Sequence, residues 1–328
     1  MSNVYGRYVL DVDVLTPMGM NLDISLAVAQ ADLARFNQHE AENGVDKFTY
    51  AKADYIKAED KQERVVEMVD TLLSSMLNKL PKTLKPVPVI LSVPGSVENS
   101  YLLRWVEESG HAKWLSKIEI SNSGGPRFIN ESLGMLDQQD AVICIAVDSL
   151  FSELESLISD QKVMGSQNPW GLIPSEGGAG VILTKKNIVE TLKLKPIATL
   201  EYFLAEWNTT DRRGMMRLVR KAASTFEQLG RVYSDMNNSR DNTEDYGFAL
   251  GARAEKFTNP QQPTLINDLW GTIGQASALA ILCSFTQMHR SSEPASIFMY
   301  GLNGDRGLLR ASLCCLLYTS DAADDTCC

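Results

Sequence analysis

The chain is poor in the residues that carry nucleophilic and metal chemistry. It has only three histidines among its 328 residues: His39, His111 and His289. Of six cysteines, Cys144 and Cys283 lie inside apolar segments, where a free cysteine usually behaves as a small buried hydrophobic residue. The other four form two adjacent pairs near the C-terminus, without the C-x₂-C spacing or the histidines of a zinc site. We therefore predict no metal site.

Long apolar runs and a concentrated basic surface are also missing. No apolar stretch approaches the roughly 20 residues of a membrane-spanning helix. The N-terminus lacks the basic and apolar regions of a signal peptide, which predicts a cytoplasmic protein. A net charge of −10 argues against a nucleic-acid partner. The densest basic stretch, 211–221, predicts the solvated face of an amphipathic helix, with contact to an anion or an acidic carrier as the alternative.

The last residues differ in character from the rest. The stretch CLLYTSDAADDTCC, which ends the chain, is similar to a translated sequencing adapter. We predict that residues 314–328 are not native, and we leave them out of the fold prediction.

Short apolar segments alternate with amphipathic ones along the rest of the chain. Ala141–Val147 and Gly180–Leu183 are continuous apolar runs, which predict strands buried on both faces. Further strands are predicted at 4–14, 48–51, 86–93, 117–121, 197–207, 230–233, 264–267, 295–302 and 308–313, the last two as a hairpin. Helices are predicted at 22–36, 60–79, 97–108, about 126–136, 211–228, 244–256 and 271–288. This alternation predicts an α/β protein with parallel strands, and the length predicts two units, which we place at 1–160 and 161–313.

Several segments resemble, in order, those of one enzyme group. IAVDSLFS followed by NPWGLIPSEGGAGVIL resembles the β-ketoacyl synthase pattern G-G-x-D-S … N-P-D-G-F-I-P-G-E-G-A-A-x-x-L. VLTPMGMNLDISLAVAQADLARF resembles the opening strand, turn and helix, and DMNNSRDNTEDYGFAL and WGTIGQASALAIL resemble later elements. Over residues 1–313 the chain thus resembles the β-ketoacyl synthase-like proteins of the thiolase-fold superfamily. The resemblance implies a layered αβαβα body of two pseudo-repeated halves, each with a mixed five-stranded sheet. It further implies a homodimer, and we expect no cofactor.

The resemblance also implies where the chemistry should be. Condensing synthases use a cysteine at a helix N-terminus, where the helix dipole favours a thiolate, and two histidines that support decarboxylation. The cysteine should lie near Ser123–Pro126, and the histidines near Asp235–Asn238 and Gly271–Thr272. None of these stretches contains the required residue, and Cys144 lies within a predicted strand. We therefore predict that the Cys-His-His mechanism does not operate.

Other residues could replace the missing groups. Ser123 precedes a Gly-Gly turn into a helix and is the candidate nucleophile, with Asp235 as the candidate base and Asp148 as an alternative base. The pocket candidates are Gly124, Gly125, Asp148, Asn237, Trp270, Gly271 and Thr272. Structural roles compete with several of these: Asp148 as a polar strand end, Trp270 as a core aromatic, and Glu176 as a residue that supports its loop. The three histidines are expected at the surface or at helix caps.

Three functions stay open. The first is a non-condensing synthase-like protein that binds acyl thioesters, acyl-CoA or acyl carrier protein, or that serves as a partner subunit. The second is an acyltransferase of the 3-oxoacyl-ACP synthase type that acts through Ser123. The third is a structural interaction protein that uses the dimer surface of the fold.

Overall fold

The computed structural model describes residues 6–33, 36–40 and 46–314. The strands are β1 Arg7–Leu15, β2 Asn37–Glu40, β3 Lys47–Tyr50, β4 Val87–Ser92, β5 Leu115–Ser121, β6 Ala141–Ser149, β7 Glu176–Lys185, β8 Ala198–Glu206, β9 Gly230–Ser234, β10 Phe257–Thr258, β11 Thr264–Leu265, β12 Ala295–Tyr300 and β13 Arg306–Leu313. The helices are α1 Leu22–Gln30, α2 Lys61–Lys79, α3 Asn99–Glu108, α4 Gly125–Gln138, α5 Leu154–Ser159, α6 Lys186–Leu192, α7 Gly214–Ala223, α8 Arg240–Arg253, α9 Ile266–Trp270 and α10 Ser277–Met288. Within the described ranges, every helix is too short or too polar to cross a membrane.

One strand order occurs twice in the main sheet. The sheet runs β10-β9-β12-β13-β8-β1-β7-β6-β4-β5, with β11 paired to β9. In the set β1, β4, β5, β6 and β7, and again in the set β8, β9, β10, β12 and β13, the spatial order is third, second, fourth, fifth, first. The fifth strand of each set is antiparallel to its neighbours, and the other pairings within each set are parallel. These repeated mixed sets of five strands confirm the predicted fold class.

The pairing of β7 corrects one detail of the sequence prediction. β7 falls within the range 161–313, which was assigned to the second half. It lies between β1 and β6 and pairs with both over most of its length, so it is the last strand of the first set. The two sets meet at β1 and β8, which share only the short register Arg7–Val9 against Ala198–Leu200. The division into units at 1–160 and 161–313 stays a prediction.

Three apolar cores cover the faces of the two sets of strands, and one of them lies between the sets. Along β6, Cys144 and Ala146 face a central core that includes α4 and α10, whereas Ile143 and Ile145 face an outer core with α2 and α3. A third core lies between β9, β12 and the helices α7 and α8. Strands with apolar side chains on both faces must be covered on both sides, which explains the continuous apolar runs in the sequence. The arrangement is the predicted αβαβα layering.

Local geometry accounts for the differences in helix bounds. α1 ends at Gln30, before Asp32 adopts a left-handed conformation with φ of 55°; residues 34–35 of the predicted helix lie outside the described residues. The helix predicted at 271–288 is interrupted, because Gly271 has a φ of 81° and a 3-10 turn at 274–276 precedes α10. α7 is shorter than the predicted 211–228. Residues 4–5 of the first predicted strand and 315–328 of the adapter-like tail also lie outside the described residues.

Candidate functional site

The sequence analysis placed the candidate nucleophile and two pocket glycines at the N-terminus of α4. The helix begins at Gly125, within the range predicted for the nucleophile. Gly125 has a φ of 57°, and a Cβ atom on it would lie 2.9 Å from the Cα of Gly301. A Cβ atom on Gly124 would lie 2.7 Å from the Cα of Gln275. Both positions thus require glycine, because the neighbouring backbone leaves no room for a side chain.

Substitution of Gly125 tests this packing. Gly125→Ala should lower the free energy of unfolding by about 1–3 kcal/mol, because it combines a left-handed backbone with a contact on Gly301. Gly134→Ala in the same helix is the control: its Cβ would meet nothing within 4 Å, so it should raise stability by about 0.5–1 kcal/mol. Chemical unfolding of the full chain measures both. Equal effects of the two substitutions would contradict the close approach.

Gln275 connects this turn to the ends of two strands and was not singled out from the sequence. Its side-chain Oε1 lies 3.2 Å from the hydroxyl of Ser92, and its Nε2 donates to the carbonyl of Asn122 at 3.2 Å. Its backbone N–H donates to Asp148 at 3.0 Å. The sequence analysis did single out the segment WGTIGQAS, because the second histidine of a synthase was expected there at 271–272. In the structure, the residue of this segment that contacts the turn before α4 is Gln275.

The N-termini of the two central helices, α4 and α10, have different neighbouring side chains. α4 and α10 occupy equivalent places in the two strand sets, and each is preceded or begun by a glycine of similar conformation, Gly125 at φ 57° and Gly274 at φ 54°. Before α10, the buried Asp148 accepts the Gln275 N–H; burial raises the pKa of this carboxyl. At the equivalent position beside α4 stands Gly301, which has no side chain. No side chain within the described residues caps the N-terminus of α4.

Asp235 lies next to this turn but does not join Ser123. Its Oδ1 accepts the backbone N–H of Tyr300 at 2.7 Å, directly before Gly301. Burial raises the pKa of Asp235 to about 7, although the Tyr300 N–H and the charge of Arg306 favour the ionised form. A carboxyl with this pKa can hold or release a proton near neutral pH.

Ser123 is half-buried at the start of the turn. Its N–H donates to the Ser121 hydroxyl at 3.0 Å, and its carbonyl accepts from Ser92 at 2.6 Å. In the described part of the chain, the Ser123 hydroxyl has no hydrogen-bond partner, and no hydrogen bond joins it to Asp235. The structure thus brings Gly124 and Asp148 together at Gln275 and packs Gly125 against Gly301, but it does not assemble the predicted nucleophile and base.

The remaining pocket candidates make contacts that stabilise the local structure. Asn237 accepts the Ser239 N–H at 2.9 Å and so shapes the turn before α8. Thr272 exchanges backbone hydrogen bonds with the segment Ile173–Ser175, and Gly271 packs on the same segment. Trp270 is fully buried, and its indole N–H donates to the carbonyl of Ser25 at 3.0 Å. Trp270 therefore lies in the core, not on a pocket wall.

Glu176 is held by a buried network beside the site. Its carboxylate accepts from Arg64 Nε at 2.9 Å, from the Ala53 N–H at 2.8 Å and from the Ser149 hydroxyl at 2.8 Å. Glu176 is fully buried and Arg64 is 3% exposed. The network joins α2 to the end of β6, which supports the structural role suggested by the sequence.

The histidines and Cys144 lie apart from the turn at Gly125. Burial raises the pKa of Cys144 to about 12, so its thiol stays protonated at neutral pH. His39 and His111 form partly exposed pairs with Glu155 and Asp70. His289 is buried at the C-cap of α10, which is the cap position allowed by the sequence analysis, and its Nε2 lies 2.8 Å from the Glu293 carbonyl.

A groove of about 1010 Å³ opens elsewhere on the molecule. It lies at the C-terminal end of α10, between that helix, the middle of β1 and the end of α2. Its lining includes Asp11, Asp23, Lys79, Gln287 and Arg290. None of the pocket residues predicted from the sequence lines it.

Comparison with known proteins identifies the fold that this chain shares with solved structures. No family model and no curated protein matches the chain by sequence. Among solved structures, a type II polyketide ketosynthase complexed with its acyl carrier protein (AntDE:AntF) has a TM-score of 0.74 at 10% identity, with 94% of this chain and 99% of that chain covered. A β-ketoacyl synthase from Burkholderia phymatum STM815 has a TM-score of 0.69 at 12% identity, covering 94% and 100%. The ishigamide ketosynthase/chain length factor has a TM-score of 0.66 at 12% identity, covering 94% and 99%. This protein therefore has the thiolase-like fold of ketosynthases and chain length factors.

Proposed function

We propose that the protein is a non-condensing β-ketoacyl synthase-like protein that binds an acyl thioester carried by acyl carrier protein. The observation that carries this proposal is the glycine turn at the N-terminus of α4. Condensing synthases need a thiol at such a helix start, whereas Gly125 is packed against Gly301 with no space for one. A role as partner subunit is a form of the same proposal, since one structural neighbour is a ketosynthase/chain length factor.

A surface beside the site supports a carrier-protein partner. Arg213 stacks over Phe248 at 5.3 Å, and Arg127, whose guanidinium is also paired with Asp305, stacks over Trp207 at 4.8 Å. Both aromatic side chains are partly exposed, and Leu302, next to Gly301, is 66% exposed. Cations combined with exposed apolar groups suit an acidic carrier.

Two arginines of the basic stretch 211–221 form ion pairs with nearby carboxylates of the same chain. Such pairs are consistent with the predicted solvated face of a helix. Arg212 pairs with Asp241 and Glu244, and Arg217 pairs with Glu206 and Asp211. Arg213, in contrast, lies over Phe248 and leaves its charge toward the surface.

We also propose a homodimer in the cytoplasm. β5 is the last strand of the main sheet and pairs only with β4 among the described strands, so its other edge can pair with a second copy. Trp114, next to this strand, is 42% exposed. Sedimentation analysis tests the dimer: a monomer at micromolar concentration would exclude it.

An acyltransferase that uses Ser123 is the second candidate. The position of Ser123 at the start of α4 and its hydroxyl without a partner among the described residues favour it. Asp235, with a pKa of about 7, is the candidate base, but no hydrogen bond joins it to Ser123 among the described residues, so this candidate requires the two groups to move together. A structural interaction protein is the third candidate and predicts no acyl ligand.

One set of measurements separates the three candidates. The full chain is incubated with acetyl- and malonyl-loaded carrier protein, and binding, carbon dioxide release, condensation product and covalent acylation are measured. We expect reversible binding with no product and no covalent acyl group. Acylation that maps to Ser123 and is lost in Ser123→Ala would instead establish the acyltransferase. The absence of binding, together with native mass spectra free of copurified lipid or coenzyme A, would favour the structural protein.

A further inference from the structure

The groove at the end of α10 lies where the two sets of strands separate. β1 and β8 pair only over Arg7–Val9 and Ala198–Leu200, and β1 then continues beyond this register. The pairing of β1 with β7 also shifts register between Val9 and Asp11, which marks the point of separation. The groove opens beside the part of β1 that β8 does not reach, and its volume of about 1010 Å³ matches that of ligand-binding clefts.

The edge of β1 in the groove is closed to the addition of another strand. The side chain of Asp11 accepts the Val12 N–H at 2.8 Å, and Lys79 donates to the Val12 carbonyl at 2.6 Å. Asp13 accepts the Val14 N–H at 3.0 Å. Because these side chains already occupy backbone groups that a new strand would need, a ligand in the groove must be recognised by side chains.

Opposite charges are left unbalanced on two walls of the groove. On the wall of β1 and α2, the ammonium of Lys79 pairs with both Asp11 at 3.3 Å and Asp13 at 3.2 Å, which leaves one negative charge in excess. The Asp11 side chain is 41% exposed, against 7% for Asp13, so the excess charge is accessible at Asp11. On the wall that follows α10, Arg290 is exposed, and its guanidinium has no ion pair or hydrogen bond among the described residues. Apolar side chains line the same groove: Val12, Leu22, Ile197 and Leu313.

We propose that this groove binds a short apolar peptide with free termini, whose ammonium group pairs with Asp11 and whose carboxylate pairs with Arg290. A ligand of one charge would satisfy one wall and leave the other unpaired, whereas a zwitterion satisfies both. A volume of about 1010 Å³ corresponds to roughly 10 Å in each dimension, which is about the span of three extended residues. The inference goes beyond the proposed function and does not depend on it, since the groove is separate from the turn at Gly125.

Trileucine is the probe, and two blocked forms of it separate the two charges. N-acetyl-trileucine lacks the ammonium group, and trileucine amide lacks the carboxylate. In NMR titrations of the full chain, each blocked form should bind about fivefold more weakly than trileucine. Triglycine should bind about tenfold more weakly, because it has no side chains for the apolar lining. The backbone amide signals that shift should be those of residues 11–13 and 286–292.

Substitutions assign each charge of the peptide to its partner. In Arg290→Ala, trileucine should bind about fivefold more weakly than in the wild type and no better than its amide. In Asp11→Asn, which keeps an acceptor for the Val12 N–H, trileucine should bind no better than N-acetyl-trileucine.

Two matched variants are the controls. Arg104→Ala removes an exposed arginine of α3 that does not line the groove. Asp23→Asn removes a carboxylate of the groove that lies in the first turn of α1, where the helix dipole balances its charge. Both should bind trileucine as the wild type does. Equal affinity of the wild type for trileucine and its two blocked forms would overturn the proposal, as would a preference for the free carboxylate that survives Arg290→Ala.

Discussion

Glu176→Ala should lower the free energy of unfolding by about 3–5 kcal/mol, which is among the largest effects expected of any substitution in this protein. The reason is that Arg64 would keep its charge in a site that is 3% exposed, with its carboxylate partner gone. The Ser149 hydroxyl and the Ala53 N–H would also lose their acceptor. Urea unfolding at pH 7 measures the loss.

A double substitution distinguishes the cost of the unpaired charge from the loss of packing. Arg64→Met combined with Glu176→Leu removes both charges and keeps most of the volume, so it should cost less than Glu176→Ala alone. A loss below about 1 kcal/mol for Glu176→Ala would mean that water reaches Arg64 in solution.

Asp235→Asn should stabilise the protein at alkaline pH and do little at acid pH. In the folded chain the pKa of Asp235 is raised to about 7, above its ordinary value of about 3.9 when unfolded. The stability that protonated Asp235 contributes is therefore fully present below about pH 4 and is lost as the pH rises through 7. Asparagine does not ionise, and it can still accept the Tyr300 N–H. Between pH 4 and pH 8 the stability difference between variant and wild type should grow by about 4 kcal/mol.

Chemical unfolding of both proteins at a series of pH values gives this difference directly. Asp211→Asn serves as the control, because the exposed Asp211 has its pKa lowered by Arg217 and should show a small effect of the opposite sign. A stability difference for Asp235→Asn that stays constant with pH would mean that Asp235 does not change its ionisation in this range.

The sequence alone was sufficient to predict the strands and turns that depend on a local pattern of apolar and turn residues. The runs 141–147 and 180–183 are apolar at every position or nearly so, and both are strands buried on two faces. The hairpin of β12 and β13 also follows from its turn residues. Bounds were less predictable: α1 ends early because Asp32 takes a left-handed conformation, which composition alone does not reveal.

The candidate site was only partly predictable. Sequence resemblance located the start of α4 and indicated that no cysteine stands there. It did not reveal Gln275, which is 150 residues away in the chain and reaches Gly124 only after the two halves are packed. Trp270 looked suitable for a pocket wall, but its contact with Ser25 could be known only from the folded core.

The sequence by itself determined the residue types available for chemistry, the alternation of strands and helices, and the excess of negative charge. Only the tertiary structure decided that the glycines before α4 face the backbone of Gly301 and Gln275, and that Asp235 is buried beside Tyr300. The physical reason is range. Apolar periodicity and turn residues act over a few neighbours along the chain, whereas steric exclusion and the pKa of a buried carboxyl depend on groups that folding brings together from distant segments.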